Sequence, residues 1–231
     1  MNDLTVVIPI FKELPEVVTK IYDEVKALGC EVIVVNDGDT VKLPDHVRQE
    51  YYYPNMGYGF ALKQGIYKAK TEYVLTMDGD GQHCAEDVTK IYTVMKMLPN
   101  CSMVVGSRYN LIEKPLRWIG RKCLNFFASV ICGHYLVDLN SGMRIMRRKL
   151  VLDYMNILCD VFSFTTSLTI STVADGHQVV YIPIEVKDRP HGKSHVKVVK
   201  HGLITVYYIV RNGLAMRTRG LRKWTRSIVG R

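Results

Sequence analysis

At 231 residues, with 48% hydrophobic and 23% charged residues, the chain is sized for one substantial folded domain and too short for two large ones. Its formal charge of +9 is unevenly placed: from Lys187 onward there are twelve Lys/Arg and one Asp, leaving nineteen Lys/Arg against twenty-one Asp/Glu upstream, a net of −2. No linker, internal repeat or low-complexity run divides it, which excludes repeat and disordered classes, and no segment reaches the ~20 apolar residues that a helix needs to span a bilayer.

Residues 4–10 are an apolar, β-branched run that reads as a buried strand. Val18, Ile21, Val25 and Leu28 then recur at helical spacing, with Gly29 as a stop signal. Residues 31–35 form the next strand and end in Asn36-Asp37-Gly38-Asp39. Residues 49–53 suit a third strand, followed by a Gly-rich turn over 55–59 and a helix to about Ala69. Residues 73–77 are a strand leading into Asp78-Gly79-Asp80-Gly81-Gln82-His83. Val88, Ile91, Met95 and Leu98 mark another helix, and residues 102–105 another strand. Beyond these, 116–135, 150–158 and 164–174 have helical character, 179–186 alternates like a strand, and 187–195 is a polar loop. Residues 197–216 read as a helix with one apolar face, and a basic tail follows.

Strands alternating with helices imply an α/β fold, a mostly parallel sheet with helices on both faces. The domain is expected over residues 1–195, with an amphipathic helix and basic tail over 196–231. In such sheets ligands bind beyond the carboxyl ends of the strands. Asp37, Asp78, Asp80 and Arg108 each follow a predicted strand end, so they are expected along one edge.

Asp78, Asp80 and Gln82 alternate just past a strand. In an extended segment residues two apart point the same way, so three oxygen-bearing side chains would face one site. Magnesium and manganese favour such oxygens together with substrate phosphates. A turn rich in Asp and Gly is the alternative reading of the same string. Asp37 is placed either to accept hydrogen bonds from a base or ribose or to close an Asp-Gly turn. Asn55-x-Gly57-x-Gly59-x3-Lys63 would let a backbone approach a ligand closely, although it lacks the third Gly of a dinucleotide fingerprint. Arg108, Arg117, Arg121, Arg144 and Arg189 suit phosphate, because a guanidinium donates paired hydrogen bonds; Arg147 and Arg148 read as surface charges.

Seven stretches in one order give the chain a resemblance to family 2 glycosyltransferases of the GT-A fold, most of all to the dolichyl- or polyprenyl-phosphate sugar synthases. They are Val7-Ile8-Pro9-Ile10-Phe11-Lys12-Glu13, residues 34–39, residues 55–65, residues 77–83, Gly106-Ser107-Arg108-Tyr109, Asp138-Leu139-Asn140-Ser141-Gly142-Met143-Arg144, and Arg189-x-x-Gly192-x-Ser194. The resemblance implies that Pro9, Phe11, Glu13, Asp37 and Asp78 hold the nucleotide, and that Asp78, Asp80 and Gln82 hold the metal, Mg2+ or Mn2+, and the diphosphate. It further implies that Arg108, Arg121 and Arg189 face an acceptor phosphate, with Ser141 in the acceptor-side motif and Asp80 central to catalysis. Lys12, Asn36, Asn125 and His195 depart from the usual pattern, and a glutamate found in some relatives near 166–167 is absent.

The expected reaction is inverting transfer from a UDP- or GDP-linked sugar to a polyprenyl or dolichyl phosphate. A phosphate acceptor needs no general base, since its second pKa near ~6 leaves it ionised at neutral pH. Transfer to a saccharide, protein or modified nucleic-acid hydroxyl is the alternative, followed by nucleotide-sugar binding without turnover. The basic C-terminal stretch is expected to lie peripherally on the cytoplasmic face of a membrane, with a membrane-anchoring partner as a further expectation. That stretch lacks the aromatic interleaving of single-strand binders, so no nucleic acid is expected. Six cysteines without a CxxC pair, and a first segment without a signal-peptide pattern, point to a reducing, cytoplasmic compartment.

Overall fold

The run Leu4–Ile10 is buried at all seven positions and forms strand β1 of a seven-stranded sheet. The structure, a computed structural model, describes residues 1–38, 40–109, 115–187 and 198–229. After β1 come α1 (Pro15–Lys26), β2 (Glu31–Asp37), β3 (Gln49–Tyr52), α2 (Tyr58–Lys68), β4 (Tyr73–Thr76), α3 (Ala85–Met97) and β5 (Cys101–Arg108). The second half holds α4 (Pro115–Cys132), β6 (Arg144–Arg147), α5 (Arg148–Tyr154), α6 (Phe164–Ala174), β7 (Gln178–Ile184) and α7 (Val198–Val229). The sheet order is β3-β2-β1-β4-β6-β5-β7.

Side chains alternate across a strand, and β1 uses both faces. Leu4, Val6, Ile8 and Ile10 pack with Val18 and Val25 of α1 and Val88 and Ile91 of α3. On the opposite face Val7 packs with Ile33, Val35 and the α2 residues Ala61, Leu62 and Ile66. A third cluster joins Ala128 of α4, Ile170 of α6 and Ile209 of α7. Every residue from Phe164 to Val173 of α6 is buried, and several of its hydroxyls donate back to carbonyls four residues earlier, as Thr169, Ser171 and Thr172 do.

Two features differ from the expectations. Strand β6 is inserted antiparallel between β4 and β5, whereas the other ladders are parallel. Four residues, Arg-Ile-Met-Arg, carry too little periodicity to announce a strand, and only the neighbours on both sides make one of them. Helix α7 also continues to Val229 through the stretch expected as a tail, which holds Leu, Arg and Lys, strong helix formers, and no Pro.

From β1 the chain winds one way to β2 and β3, and β4 pairs with the other side of β1. This reversal opens a crevice at the carboxyl ends of β1, β2 and β4.

Candidate active site

A cavity of about 430 Å3 occupies that crevice. Pro9, Phe11 and Glu13 enter from the end of β1, Asp37 from β2, and Asp78 and Asp80 from the segment after β4. Tyr58, at the start of α2, Asn140, Phe162 and Thr165 complete the wall. A wider depression of about 800 Å3 beside α1 and Lys42 carries none of the sequence motifs.

Asp78 is held from three sides. The Tyr58 hydroxyl donates to its Oδ1 at 2.8 Å, and the buried His83 places Nε2 3.7 Å from its Oδ2. The Cα of Gly142 lies so close that a methyl added there would overlap the carboxylate. Burial alone would raise the Asp78 carboxyl, but the His83 imidazole, the Tyr58 hydroxyl and the Arg108 charge bring it below the ordinary value. The half-buried Tyr58, its hydroxyl desolvated beside this carboxylate, titrates far above an ordinary tyrosine, chiefly because of that desolvation. It therefore stays a hydrogen-bond donor at neutral pH.

Asp80 is buried at the cavity edge, and its Oδ1 accepts the Gln82 amide at 3.1 Å. The segment after β4 turns instead of extending, with Gly81 at φ +80, so alternation does not bring all three side chains to one face. Gln82 lies outside the cavity wall, donating from Nε2 to the Lys187 carbonyl at 3.1 Å while its own carbonyl accepts the Lys187 amide. Among the described residues no group of three or more His, Cys, Asp or Glu forms a ready-made metal site. Two carboxylates sharing a cavity suit a hard divalent cation that takes its remaining ligands from substrate phosphates.

Asp37 closes a turn. Its Oδ1 accepts the Met56 amide at 2.9 Å and its Oδ2 the Gly57 amide at 2.7 Å, while Asn55 Nδ2 donates to its carbonyl at 2.7 Å. This fastens the 55–59 segment to the end of β2. The backbone that the glycines admit is the chain's own: side chains at Gly57 and Gly59 would collide with the carbonyls of Asp160 and Cys159. Phe60 N donates to the Asp160 carbonyl, and Lys63 Nζ binds Leu158 O at 2.7 Å and Asp160 Oδ1 at 2.6 Å. The motif thus docks the loop that carries Val161 and Phe162 into the cavity wall.

The arginines separate by environment. Arg108 is paired with buried Asp138 through Nε–Oδ2 and Nη2–Oδ1, both at 2.9 Å. Burial would raise Asp138, yet the Arg108 charge and hydrogen bonds hold its carboxyl low. Arg144 is fully buried, where a phosphate cannot reach it, and donates to the carbonyls of Leu139, Ser141 and Thr165 and the hydroxyl of Thr169. It organises the 138–142 loop from below, and burial lowers its pKa. Ser141 is also fully buried, and its contribution is the carbonyl that Arg144 grips. Arg121, half-buried on α4, does not line the cavity. Arg189 and the rest of its motif lie outside the described residues.

Tyr58, His83, Asn140 and Gly142 were not singled out as site residues by sequence reasoning, although each sits inside one of the motif stretches. His83 meets Asp78 within one stretch, whereas Tyr58 and Gly142 act through contacts between stretches 20 and 66 positions apart, as in Tyr58–Asp78 and Thr76–Gly142.

The profile of the family described as glycosyl transferase family 2 matches residues 5–155. An uncharacterised protein of Methanocaldococcus jannaschii is 31% identical over 157 residues, 62% of this chain and 64% of that protein, so the match spans just under two thirds of the relative. An uncharacterised glycosyltransferase of Mycobacterium tuberculosis is 27% identical over 206 residues, covering 87% of this chain and 93% of that one. The dodecaprenyl-phosphate galacturonate synthase of Rhizobium johnstonii is 23% identical across 93% of this chain and 66% of its own length. Among solved structures, glucosyl-3-phosphoglycerate synthase from Mycobacterium tuberculosis in complex with UDP aligns at a TM-score of 0.73 and 15% identity, over 92% of this chain and 80% of that chain. The same enzyme in complex with Mn2+, UDP-glucose and phosphoglyceric acid aligns at 0.73 and 13% identity, with the same coverage. At these identities the likeness is one of fold.

Proposed function

The chain belongs to glycosyl transferase family 2, and from that premise we propose that it moves a sugar from a nucleoside diphosphate, with Mg2+ or Mn2+ bound, to the phosphate of a polyprenyl or dolichyl lipid. The observation that carries the reading is the pair Asp78 and Asp80 at the strand-end cavity, which they share with a stretch of wall that, among the described residues, carries no carboxylate. Asn140, Val161, Phe162 and Thr165 form that wall. Both oxygens of Asp37 already accept backbone amides, and Glu13 lies on the β1 side. A hydroxyl acceptor would need a base to take its proton, whereas a phosphate monoester is already ionised.

In this reading Pro9, Phe11, Glu13 and Asp37 border the nucleoside, and Asp78 and Asp80 hold the cation and diphosphate. A bound divalent cation offsets the charge that develops on the departing diphosphate. Tyr58 and Gly142 keep Asp78 in place. Arg108, Arg121 and Arg189 are the proposed contacts of the acceptor phosphate.

A lipid acceptor is supported by the name of the Rhizobium johnstonii relative and by the surface. Trp118, Ile119, Phe126 and Val130 of α4 and Leu203, Tyr207 and Leu214 of α7 are exposed, beside a stretch rich in Arg and Lys. Such a combination suits peripheral attachment to an anionic bilayer surface, proposed here as the cytoplasmic face. No helix of the described residues is long and apolar enough to cross a membrane. Transfer to a small phosphorylated acid is the second reading, favoured by the fold shared with the phosphoglycerate enzyme.

The test incubates purified protein and Mn2+ or Mg2+ with labelled UDP- and GDP-sugars, offering polyprenyl phosphate in vesicles or 3-phosphoglycerate in solution. Solvent-extractable labelled lipid that disappears in Asp80→Ala is expected. Label only in a water-soluble product selects the second reading, and no product from any donor refutes both.

A further inference from the structure

Asn140 is locked on two sides and open on the third. Its backbone amide donates to Asp138 Oδ1 at 3.1 Å, and Asp138 is itself clamped by Arg108. Its side-chain Oδ1 accepts the hydroxyl of Thr166 at 3.0 Å, and Thr166 is fully buried in the first turn of α6. With the carbonyl oxygen so engaged, the amide cannot rotate freely, and its two N–H groups are the donors left for the cavity that Asn140 lines. Tyr58, the neutral donor nearby, has its single O–H committed to Asp78. Asn140 thus presents a rigid, uncharged donor to the cavity that Asp78, Asp80, Phe162 and Thr165 also line.

We infer that Asn140 is a specificity-determining residue that donates a hydrogen bond to a hydroxyl oxygen of the transferred sugar, with Thr166 as the residue that positions it. The inference rests on the cavity holding a nucleotide sugar. If the acidic pair takes the diphosphate and its cation, the next group along the donor is the sugar, and it would lie against Asn140, Thr165 and the Phe162 ring. A fixed neutral amide matches a hydroxyl, while phosphate draws cations and charge-assisted donors. A buried donor built to meet one oxygen also penalises a sugar that leaves it unpaired.

The experiment compares binding of a nucleoside diphosphate with binding of its sugar conjugates by calorimetry in Mn2+. UDP with UDP-glucose and UDP-N-acetylglucosamine, and GDP with GDP-mannose, are the probes. Wild type should bind at least one conjugate more tightly than the parent diphosphate. Asn140→Ala should weaken that conjugate by roughly 3–10-fold, while the parent diphosphate changes by less than about twofold. Thr166→Val keeps the amide and frees its rotation, so a smaller loss confined to the conjugate is expected. Retained diphosphate binding in both variants reports an intact fold. Equal losses for conjugate and diphosphate, or no loss for either, would overturn the inference. A wild-type protein that binds no diphosphate at all would instead remove the donor reading beneath it, before any variant is compared.

Discussion

Replacing Gly142 by Ala tests the acidic pair through a residue that carries no functional group. A methyl at this position would lie 2.5 Å from Asp78 Oδ1 and 2.6 Å from its Cγ, and closer still to Oδ2, where ordinary contact begins at 3.4 Å. Gly142 itself cannot retreat, because its carbonyl accepts the buried Thr76 hydroxyl at 2.6 Å. The carboxylate must therefore move by about 1 Å, which breaks the 2.8 Å bond from Tyr58. Losing a hydrogen bond to a charged group costs about 1.5–3 kcal/mol, or roughly 3–12 °C in Tm for a chain of this size. A 1 Å misplacement of a group that aligns the reaction costs on the order of 100-fold in rate. The assay is kcat/KM for transfer beside Mn2+ affinity by electron paramagnetic resonance, with a thermal melt as control. Gly120→Ala serves as reference: nothing lies within 4 Å of the added methyl, and in the middle of α4 it should stabilise by about 0.5–1 kcal/mol. Gly142→Ala with activity and Mn2+ affinity within twofold of wild type would refute the role given to Asp78.

Tyr58→Phe keeps the ring and removes the hydroxyl donor, so transfer should fall about tenfold and Mn2+ affinity should drop, with a Tm loss in the same range of roughly 3–12 °C because the same bond is lost. Arg144→Ala leaves the carbonyls of Leu139, Ser141 and Thr165 without their donor in the interior, and urea denaturation should register a loss of about 3–5 kcal/mol. The carboxyl of Asp138 is held low by Arg108 in the folded state, so the pair stabilises fully above the ordinary Asp value near ~3.9 and its contribution fades as pH falls through the lowered folded value. Urea midpoints measured from pH 7 down to 3 should show an acid decline that is reduced in Asp138→Asn, which is less stable at neutral pH. Chelation with EDTA should abolish transfer, and restoration by Mn2+ or Mg2+ but not by Ca2+ would fit a small octahedral site; undiminished activity in EDTA would exclude the metal role.

Much of the fold was legible in the order of residues. Strand β1 and helix α3 carry their periodicity openly, because a strand buried on both faces is a continuous apolar run and an amphipathic helix repeats every three to four residues. Strand β6 was not legible, since its four residues become a strand only through β4 and β5 beside them. The same holds for α7 beyond Met216, where charge suggested a tail and local helix propensity prevailed.

For the site, the order of residues placed Asp37, Asp78 and Asp80 together at the strand ends, where they share one cavity with Glu13, whereas Arg108, expected on the same edge, does not line it. What each group does there was decided by tertiary contacts. Asp37 spends its oxygens on the 56–57 amides, Arg108 is matched to Asp138, and Arg144 and Ser141 are sealed beneath the cavity floor. Residue type and spacing specify the chemistry a side chain is capable of, because strand ends and turns are local. Direction, burial and partner come from segments many positions away, such as the Tyr58 hydroxyl that reaches Asp78 and the Gly142 backbone that leaves it room. Those distances exist only once the sheet has closed.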